Sequence, residues 1–214
     1  MPTVIDMPPE LEITGHSLTF SDNAGQSVLP FSGTVQRLAA TYERLTGSWT
    51  FKPPNREKSL AVESFFLQVG SGRALFRTPA YQPPRNNQTL GGDLDGAHTA
   101  RQRTISVTGF PANREIEAGE WVQIGWQAAR VMNSAFTDAA GAASFDIFPF
   151  LHADHADGAE VRVGRWVKIL WRMVGEPPGV SYLASRQNSL DVSLSAIQEI
   201  VTGSHDLAGE EVPE

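Results

Sequence analysis

The chain has 214 residues, a formal net charge of −7 at pH 7 and no cysteine. The lack of cysteine excludes disulfides, thiolate zinc sites, iron–sulfur clusters and a cysteine nucleophile. Only 17 Lys and Arg stand against 24 Asp and Glu, without a dense basic cluster, which argues against specific nucleic-acid binding. No run of 18 apolar residues and no signal-peptide pattern occur, so we expect a soluble chain without a membrane span, made in a cytoplasm.

The first part of the chain predicts short strands followed by one helix. The 19 glycines and 14 prolines indicate frequent turns, which favours a mainly β protein. Three early segments are strand-like: ELEITGHSLTF, VLPFSGTVQRL and YERLTGSWTF. The segment after them predicts a helix that begins near Asn55 and ends at Gly70 or Gly72. Its apolar face follows helical spacing, with Val62, Phe65, Phe66 and Val69 at i, i+3, i+4 and i+7.

Further strands are predicted from residue 73 to the last apolar segment. These strand-like segments are RALFR, RTISVTGF, EWVQIGWQAARVM, AASFDIFPFL, EVRVGRWVKILWRMVG and SLDVSLSAIQEIV. TDAAGAAS and HADHADGAE are predicted turns, the second closed by the Asp157-Gly158 step. The Pro- and Gly-rich connections at 78–98 and 175–180 bracket a compact β stretch. We therefore predict a discontinuous β-sandwich domain at 1–85 and 176–203, an inserted small β-barrel (OB-like) domain at 86–175, and a flexible acidic tail at 204–214.

The stretch FLHADHADGAEV, residues 150–161, raises the possibility of a metal site. His152, Asp154, His155 and Asp157 are residue types that bind metals at short spacing. On a strand, however, His152 and His155 point to opposite faces, and no third ligand is evident. The preferred interpretation is a solvated hairpin loop, in which replacing both histidines with alanine leaves stability and assembly nearly unchanged.

No other constellation predicts catalysis, a cofactor or a metal. A Ser/His/Asp triad is not excluded by counting, but no G-x-S-x-G elbow occurs. Glu115, Glu117, Glu120 and Asp146 are the nearest acids for paired-carboxylate chemistry, and acids on strands and turns are usually solvated. LGGDLDGAH, residues 90–98, fits neither a calcium loop nor a phosphate loop and is interpreted as a flexible linkage. We therefore expect a protein that is not an enzyme.

The order of these signals resembles the distal tail proteins of long-tailed, siphovirus-type bacteriophages and gene transfer agents. FSGTVQRLAATYERLTGSWTF resembles the family's strand and hairpin, and KSLAVESFFLQVGSG with RALFRTPAY resembles its helix and phenylalanine-containing strand. LGGDLDGAHTARQRTISVTGFPANREIEAGEWVQIG resembles the opening of the family's inserted domain, and TDAAGAASFDIFPFLH its next hairpin. SYLASRQNSLDVSLSAIQEI resembles the strand that closes the first domain, so the resemblance covers roughly residues 31–200.

The resemblance implies a structural role at the tip of a virion tail. Such proteins form a ring, expected to be a homohexamer, that joins the tail tube protein to the hub and receptor-binding proteins. The genome passes through the lumen of the ring without specific binding. The first domain would form the ring, with Tyr42, Arg44, Trp49 and Phe51 as candidate contacts between copies, and the barrel would project outwards. Assembly would take place in the cytoplasm of the host bacterium.

Three alternatives remain open from the sequence. The five tryptophans of a β-sandwich suit a carbohydrate-binding module. The small inserted domain suggests an oligonucleotide-binding barrel, which would need a basic groove with stacking aromatic side chains. A metal-dependent hydrolase would rest on residues 150–161 alone.

Overall fold

Strands account for most of the regular structure among the described residues, as the composition predicts. The computed structural model describes residues 3–8, 11–22, 26–28, 35–37, 43–51, 59–70, 74–80, 89–175 and 192–199. Within these ranges the chain forms two compact units, residues 1–76 with 171–198 and residues 77–170 with 199–214. None of the described helices is long and apolar enough to cross a membrane.

The first unit is built on a six-stranded sheet with the order β1-β6-β15-β16-β5-β2. These strands are β1 (Thr3–Asp6), β2 (Ile13–Asp22), β5 (Glu43–Phe51), β6 (Ala74–Pro79), β15 (Lys168–Met173) and β16 (Val192–Gln198). The short strands β3 (Gln26–Val28) and β4 (Val35–Arg37) pair only with each other among the described residues. Antiparallel pairing of β16 with β5 and β15 returns the last strand to this sheet, as the sequence predicts.

The predicted helix is present as α1 (Ser59–Gly70), ending at the predicted glycine. Its proposed start at Asn55 lies outside the described residues. The four residues predicted to form the apolar face are all buried, at 1–3 % exposure. Phe65 and Phe66 pack edge-on against Phe76 and Phe51 of the sheet, at 5.8 and 6.3 Å between ring centroids. The helix therefore covers one face of the sheet with aromatic contacts.

The second unit contains a closed antiparallel barrel with the order β10-β11-β13-β8-β7-β14. Its strands are β7 (Thr89–Leu94), β8 (Thr104–Thr108), β10 (Trp121–Ile124), β11 (Gln127–Val131), β13 (Ala143–Phe148) and β14 (Glu160–Gly164). A side ribbon pairs β9 (Glu115–Ile116) with β12 (Ala135–Phe136). The prediction of a mainly β fold with a small barrel is confirmed, and the six strands exceed the five of an OB-fold.

Alternating apolar residues fill the barrel interior. Phe145 and Ile147 of β13 are 1 % and 0 % exposed, and Ile105 and Val107 of β8 are fully buried. The remaining core residues include Leu90, Leu94, Phe110, Ile116, Val122, Ile124, Ala129, Val131, Leu151, Val161 and Val163. A barrel packed in this way has an apolar core and no lumen of its own.

Two segments predicted as single strands are each divided into two strands in the structure. The first is the β10–β11 hairpin, which turns at Gly125, with φ of 54°. The second is not a paired hairpin: the chain turns at Gly164, with φ of 84°, between β14 of the barrel and β15 of the six-stranded sheet. A positive φ is accessible to glycine at little cost, so each glycine permits a turn inside a continuous apolar pattern. The prediction of one strand over EWVQIGWQAARVM is therefore wrong, because Trp126 lies in the turn between β10 and β11.

The segment LGGDLDGAH is not the flexible linkage that its composition indicates. Its first residues form β7, which pairs with β14 on one side and β8 on the other. A Cβ on Gly92 would lie 2.3 Å from the Thr108 carbonyl oxygen and 2.4 Å from the Phe110 ring. Glycine is therefore needed here for close packing, because a larger residue would displace Phe110 from the barrel core.

The unit boundaries differ by several residues from the predicted ones. The first unit ends at residue 76 and resumes at 171, whereas the sequence predicts 85 and 176. Strands β6 and β15 run through these two boundaries without interruption. The compact units therefore change inside these two strands, whereas the predicted limits follow the Pro- and Gly-rich segments of the sequence. The predicted tail at 204–214 lies outside the described residues.

Candidate functional site at the histidine end of the barrel

The histidine-containing stretch lies in the connection between β13 and β14. The β7–β8 connection and the tight β10–β11 turn lie at the same end of the barrel, because Asp146 pairs with Thr104 and Ile124 with Val161. We call this region, formed by residues 95–102, 125–126 and 149–159, the histidine end. It contains three of the five histidines in the chain, His98, His152 and His155.

The β7–β8 and β13–β14 connections are held together by backbone hydrogen bonds. His98 and His155 each donate an amide to the other's carbonyl, at 2.9 and 2.8 Å. Leu151 donates to the Gln102 carbonyl at 2.9 Å and accepts from the Arg101 amide at 2.7 Å. Leu151 is fully buried in the barrel core, so this pairing closes one end of the core.

The two aspartates of the stretch accept hydrogen bonds from the backbone of the facing connection. The Ala100 amide donates to Asp154 Oδ1 at 2.7 Å, and the Gly96 amide donates to Asp157 Oδ1 at 2.8 Å. A carboxylate that accepts a backbone amide is a typical loop-stabilising contact. Gly158, with φ of 74°, forms the predicted turn with Asp157.

The imidazole of His98 is buried and hydrogen-bonded at both ring nitrogens. The Ser106 amide donates to Nε2 at 3.0 Å, and Nδ1 lies 2.9 Å from the Gly96 carbonyl oxygen. A backbone amide is always a donor, so Nε2 must be the acceptor and Nδ1 must carry the proton. This arrangement therefore requires a neutral ring in a single tautomer.

The imidazole of His155 is also held in an environment that favours the neutral form. Its Nε2 is buried without a hydrogen-bond partner. Burial lowers the pKa of His155 below the ordinary value of 6.5, the neighbouring His98 lowers it further, and Asp154 acts in the opposite direction. Desolvation thus outweighs the nearby carboxylate.

His152 is buried rather than solvated, because Gln127 fixes the chain around it. The Gln127 side chain donates to the Phe150 carbonyl and accepts from the His152 amide, both at 2.8 Å. The His152 side chain is 9 % exposed, and its ring lies 5.5 Å from that of Phe150. The interpretation of a solvated loop is therefore wrong for His152, whereas the expectation that both histidines are dispensable for stability stays a prediction.

A second glutamine, Gln123, holds another segment in the same way. It donates to the Gly125 carbonyl at 2.9 Å and accepts from the Lys168 amide at 2.8 Å. Gln123 and Gln127 are 1 % and 4 % exposed. Sequence reasoning missed both glutamines and His98. The available signal was two glutamines flanking the Gly125 turn within otherwise apolar strands.

The described residues contain no group of three or more His, Asp or Glu side chains arranged to hold a metal ion. The histidine end instead uses its polar side chains to pair backbone segments, through Asp154, Asp157, His98 and Gln127.

The acids considered for paired-carboxylate chemistry have structural contacts. Asp146 accepts a hydrogen bond from the Thr104 hydroxyl at 2.6 Å. Glu120 Oε2 accepts the Glu117 amide at 3.2 Å, and Glu120 Oε1 is buried without a partner. Burial raises the pKa of Glu120, the hydrogen bond from Glu117 opposes this, and the charges of Glu117 and Glu115 add to the increase. The Glu117–Glu120 hydrogen bond lies in the turn before β10, and the Thr104–Asp146 hydrogen bond joins β8 to β13.

The four residues predicted to form contacts between copies differ in their environments. Trp49 and Phe51 are 1 % and 0 % exposed, and Trp49 packs edge-on against Trp171 at 4.9 Å between centroids. As core side chains they offer no surface to a second copy, so the expectation does not hold for these two. Arg44 is half-buried on β5, and its role stays a prediction. Tyr42 lies outside the described residues.

The five tryptophans all lie within the described residues, and none is exposed. Trp49, Trp121 and Trp171 are buried, whereas Trp126 and Trp166 are half-buried. Arg130 stacks on Trp121, with its guanidinium carbon 3.8 Å from the ring centroid. An aromatic platform of the kind that stacks on sugar rings is therefore not formed by exposed tryptophans.

Comparison with known proteins adds no relative. No protein-family model matches the chain, and no curated protein matches it.

Proposed function

We propose that the chain is a structural ring-forming protein of the distal tail type, which joins a phage tail tube to the hub and receptor-binding proteins. The observation that carries this proposal is the order of the elements along the chain. Strand β5, helix α1 and strand β6 are followed by an inserted barrel, and β16 then pairs back onto β5. This order is the one that the sequence resemblance implies.

The edge of the six-stranded sheet supports assembly from several copies. Among the described residues, β2 lies at one end of the strand order and pairs only with β5. An edge strand presents backbone amide and carbonyl groups that a strand of a neighbouring copy can pair with. Arg44 pairs with Ser21 of β2 in the strand register, so it lies close to this edge.

The charge of the chain is compatible with a duct for nucleic acid. A net charge of −7 disfavours retention of a polyanion on the protein surface, as a passage for a genome requires. The carbohydrate-binding alternative gains no support, because no tryptophan of the chain is exposed.

Electron microscopy of the purified full chain, combined with light scattering, tests the proposal. We expect closed rings with a central hole and a mass of six copies, since a repeated head-to-tail contact closes into a ring. A monomer at high protein concentration, without rings in the micrographs, would contradict the proposal.

A further inference from the structure

We propose that His98 and His155 form an acid-sensitive clasp, which holds residues 95–102 against residues 150–158 at neutral pH and releases them when either imidazole is protonated. The proposal concerns the barrel alone and does not depend on ring formation. Histidine is the side chain whose charge ordinarily changes between pH 5 and 8.

The geometry of His98 makes the closed arrangement incompatible with a charged ring. Protonation would place a hydrogen on Nε2, which now accepts the Ser106 amide at 3.0 Å. Two donors would then face each other, and the amide of Ser106 would lose its acceptor. His98 is 5 % exposed, so water does not replace this contact without opening of the segment.

His155 connects protonation of His98 to residues 150–158. Its backbone pairs with that of His98 through two hydrogen bonds, and its own ring is half-buried. A charge on either ring repels a charge on the other, because His98 acts electrostatically on His155. A charge on either ring therefore acts on both segments of the closed arrangement, although the two histidines lie 57 residues apart in the sequence.

Other charged groups on the packed elements do not compensate for this effect. They are His152, Asp154 and Asp157 on the β13–β14 connection, Asp95, Arg101 and Arg103 on the β7–β8 connection, and Glu160 at the start of β14; the Gly125–Trp126 turn has none. Asp154 favours a charged His155, but burial and His98 together outweigh it. Asp154 and Asp157 are also occupied by the Ala100 and Gly96 amides.

Release would uncover one end of the barrel core. Leu151 is fully buried, and its amide and carbonyl are paired with the 95–102 segment. Loss of the isolated His98–His155 bridge removes two of the hydrogen bonds between the segments, so the adjoining hydrogen bonds of Leu151 are weakened. Acid would therefore open the two segments locally, while the barrel strands remain paired.

Hydrogen exchange of the full chain at pH 7.5 and pH 5.0, corrected for the intrinsic pH dependence of exchange, tests the clasp. We expect peptides from 95–102 and 150–158 to lose protection by about tenfold or more at pH 5.0. One histidine with an ordinary pKa of 6.5 in the open form permits up to roughly thirtyfold at that pH. Peptides from β11 should keep their protection.

Variants identify the groups responsible. The H98Q/H155Q double variant should abolish the pH effect, because glutamine at position 98 can accept the Ser106 amide without titrating. H16Q, on exposed His16 of the first unit, should leave the effect unchanged. Unchanged protection in the natural chain, a pH effect that persists in H98Q/H155Q, or one that is lost in H152Q alone would overturn the proposal.

If the double variant does not fold, a measurement on the natural chain tests the clasp instead. Nuclear magnetic resonance would follow ring protonation of both histidines together with exchange of the Ser106 and His155 amides. We expect ring protonation and loss of amide protection to share one midpoint. Protonation of either ring with both amides still protected would overturn the clasp.

Discussion

Gln123 and Gln127 lie in barrel strands and form hydrogen bonds with backbone groups outside the barrel strands. Each uses its amide nitrogen and its carbonyl oxygen at once, and each is almost completely buried. A buried backbone group that loses its partner is costly, so such a residue stabilises the fold more than an exposed glutamine. At the residue scale, the histidine end depends on Gln127 as much as on its histidines.

Replacement of Gln127 with methionine, which is similar in size, tests this role. We expect a loss of about 2–4 kcal/mol in the free energy of unfolding, because the Phe150 carbonyl and the His152 amide both lose a partner. Urea denaturation measures the change. Q102M is the matched control, because exposed Gln102 accepts one amide, that of Thr99, at 3.2 Å. An equal loss in both variants would contradict the role given to Gln127.

Glu120 gives a prediction of pH dependence at the same scale. Burial raises its pKa in the folded protein above the ordinary value of 4.5. The folded protein therefore binds the proton more tightly than the unfolded chain, and this stabilisation is lost as pH rises through the folded pKa. In E120Q, the side-chain oxygen still accepts the Glu117 amide but does not titrate.

The stability of the natural chain relative to E120Q should thus decrease between pH 4 and pH 7. Urea midpoints at several pH values measure the difference. E12Q, at an exposed position of the first unit, serves as the control for replacing one carboxylate with a neutral amide. A difference that stays constant with pH would show that Glu120 has the same proton affinity in both states.

At the element scale, periodicity predicted the type of element well and the turns inside apolar runs poorly. Helix α1 and strand β16 follow their patterns, because each buries one face against a single partner layer. The runs that contain Gly125 and Gly164 are apolar on both sides of the turn, so their pattern does not reveal the turn. Likewise, β7 was missed because Gly92 packs against Phe110 and Gly91 against Trp166, contacts that only the tertiary structure provides.

The candidate site shows the same limit. The sequence placed Asp157-Gly158 in a turn correctly, because a local backbone preference determines it. The pairing of His98 with His155 was not predictable, since it depends on which barrel strands are neighbours. Burial of His152 likewise depends on Gln127 of another strand.

Strand β16 provides a prediction at the element scale. Leu194 is 1 % exposed and pairs with Trp49 in the register, in the middle of the six-stranded sheet. L194A should lower the free energy of unfolding by about 2–4 kcal/mol, because it removes a buried side chain and leaves a cavity. Thermal unfolding followed by circular dichroism measures the loss. S193A, at the exposed neighbouring position, should change stability by less than about 0.5 kcal/mol.

At the scale of the whole molecule, the chain combines a discontinuous sheet unit with an inserted barrel. The sheet depends on strands from both sides of the insertion, since β16 lies between β15 and β5. The sequence predicted this organisation from the order of its segments. It did not predict the boundaries within a few residues, because β6 and β15 continue past the points at which the compact units change.

Assembly gives the last prediction, which rests on the proposed ring. If copies associate through the edge of the sheet near Arg44, reversal of charge at this half-buried position should weaken the contact, because a misplaced interfacial charge costs several kcal/mol. Light scattering of R44E should give a lower mass at a concentration at which the natural chain forms the ring. R165E makes the same charge change at an exposed position in the β14–β15 turn and should retain the full mass. A ring that survives R44E but is lost in R165E would place the contact between copies on the barrel unit instead of the sheet unit.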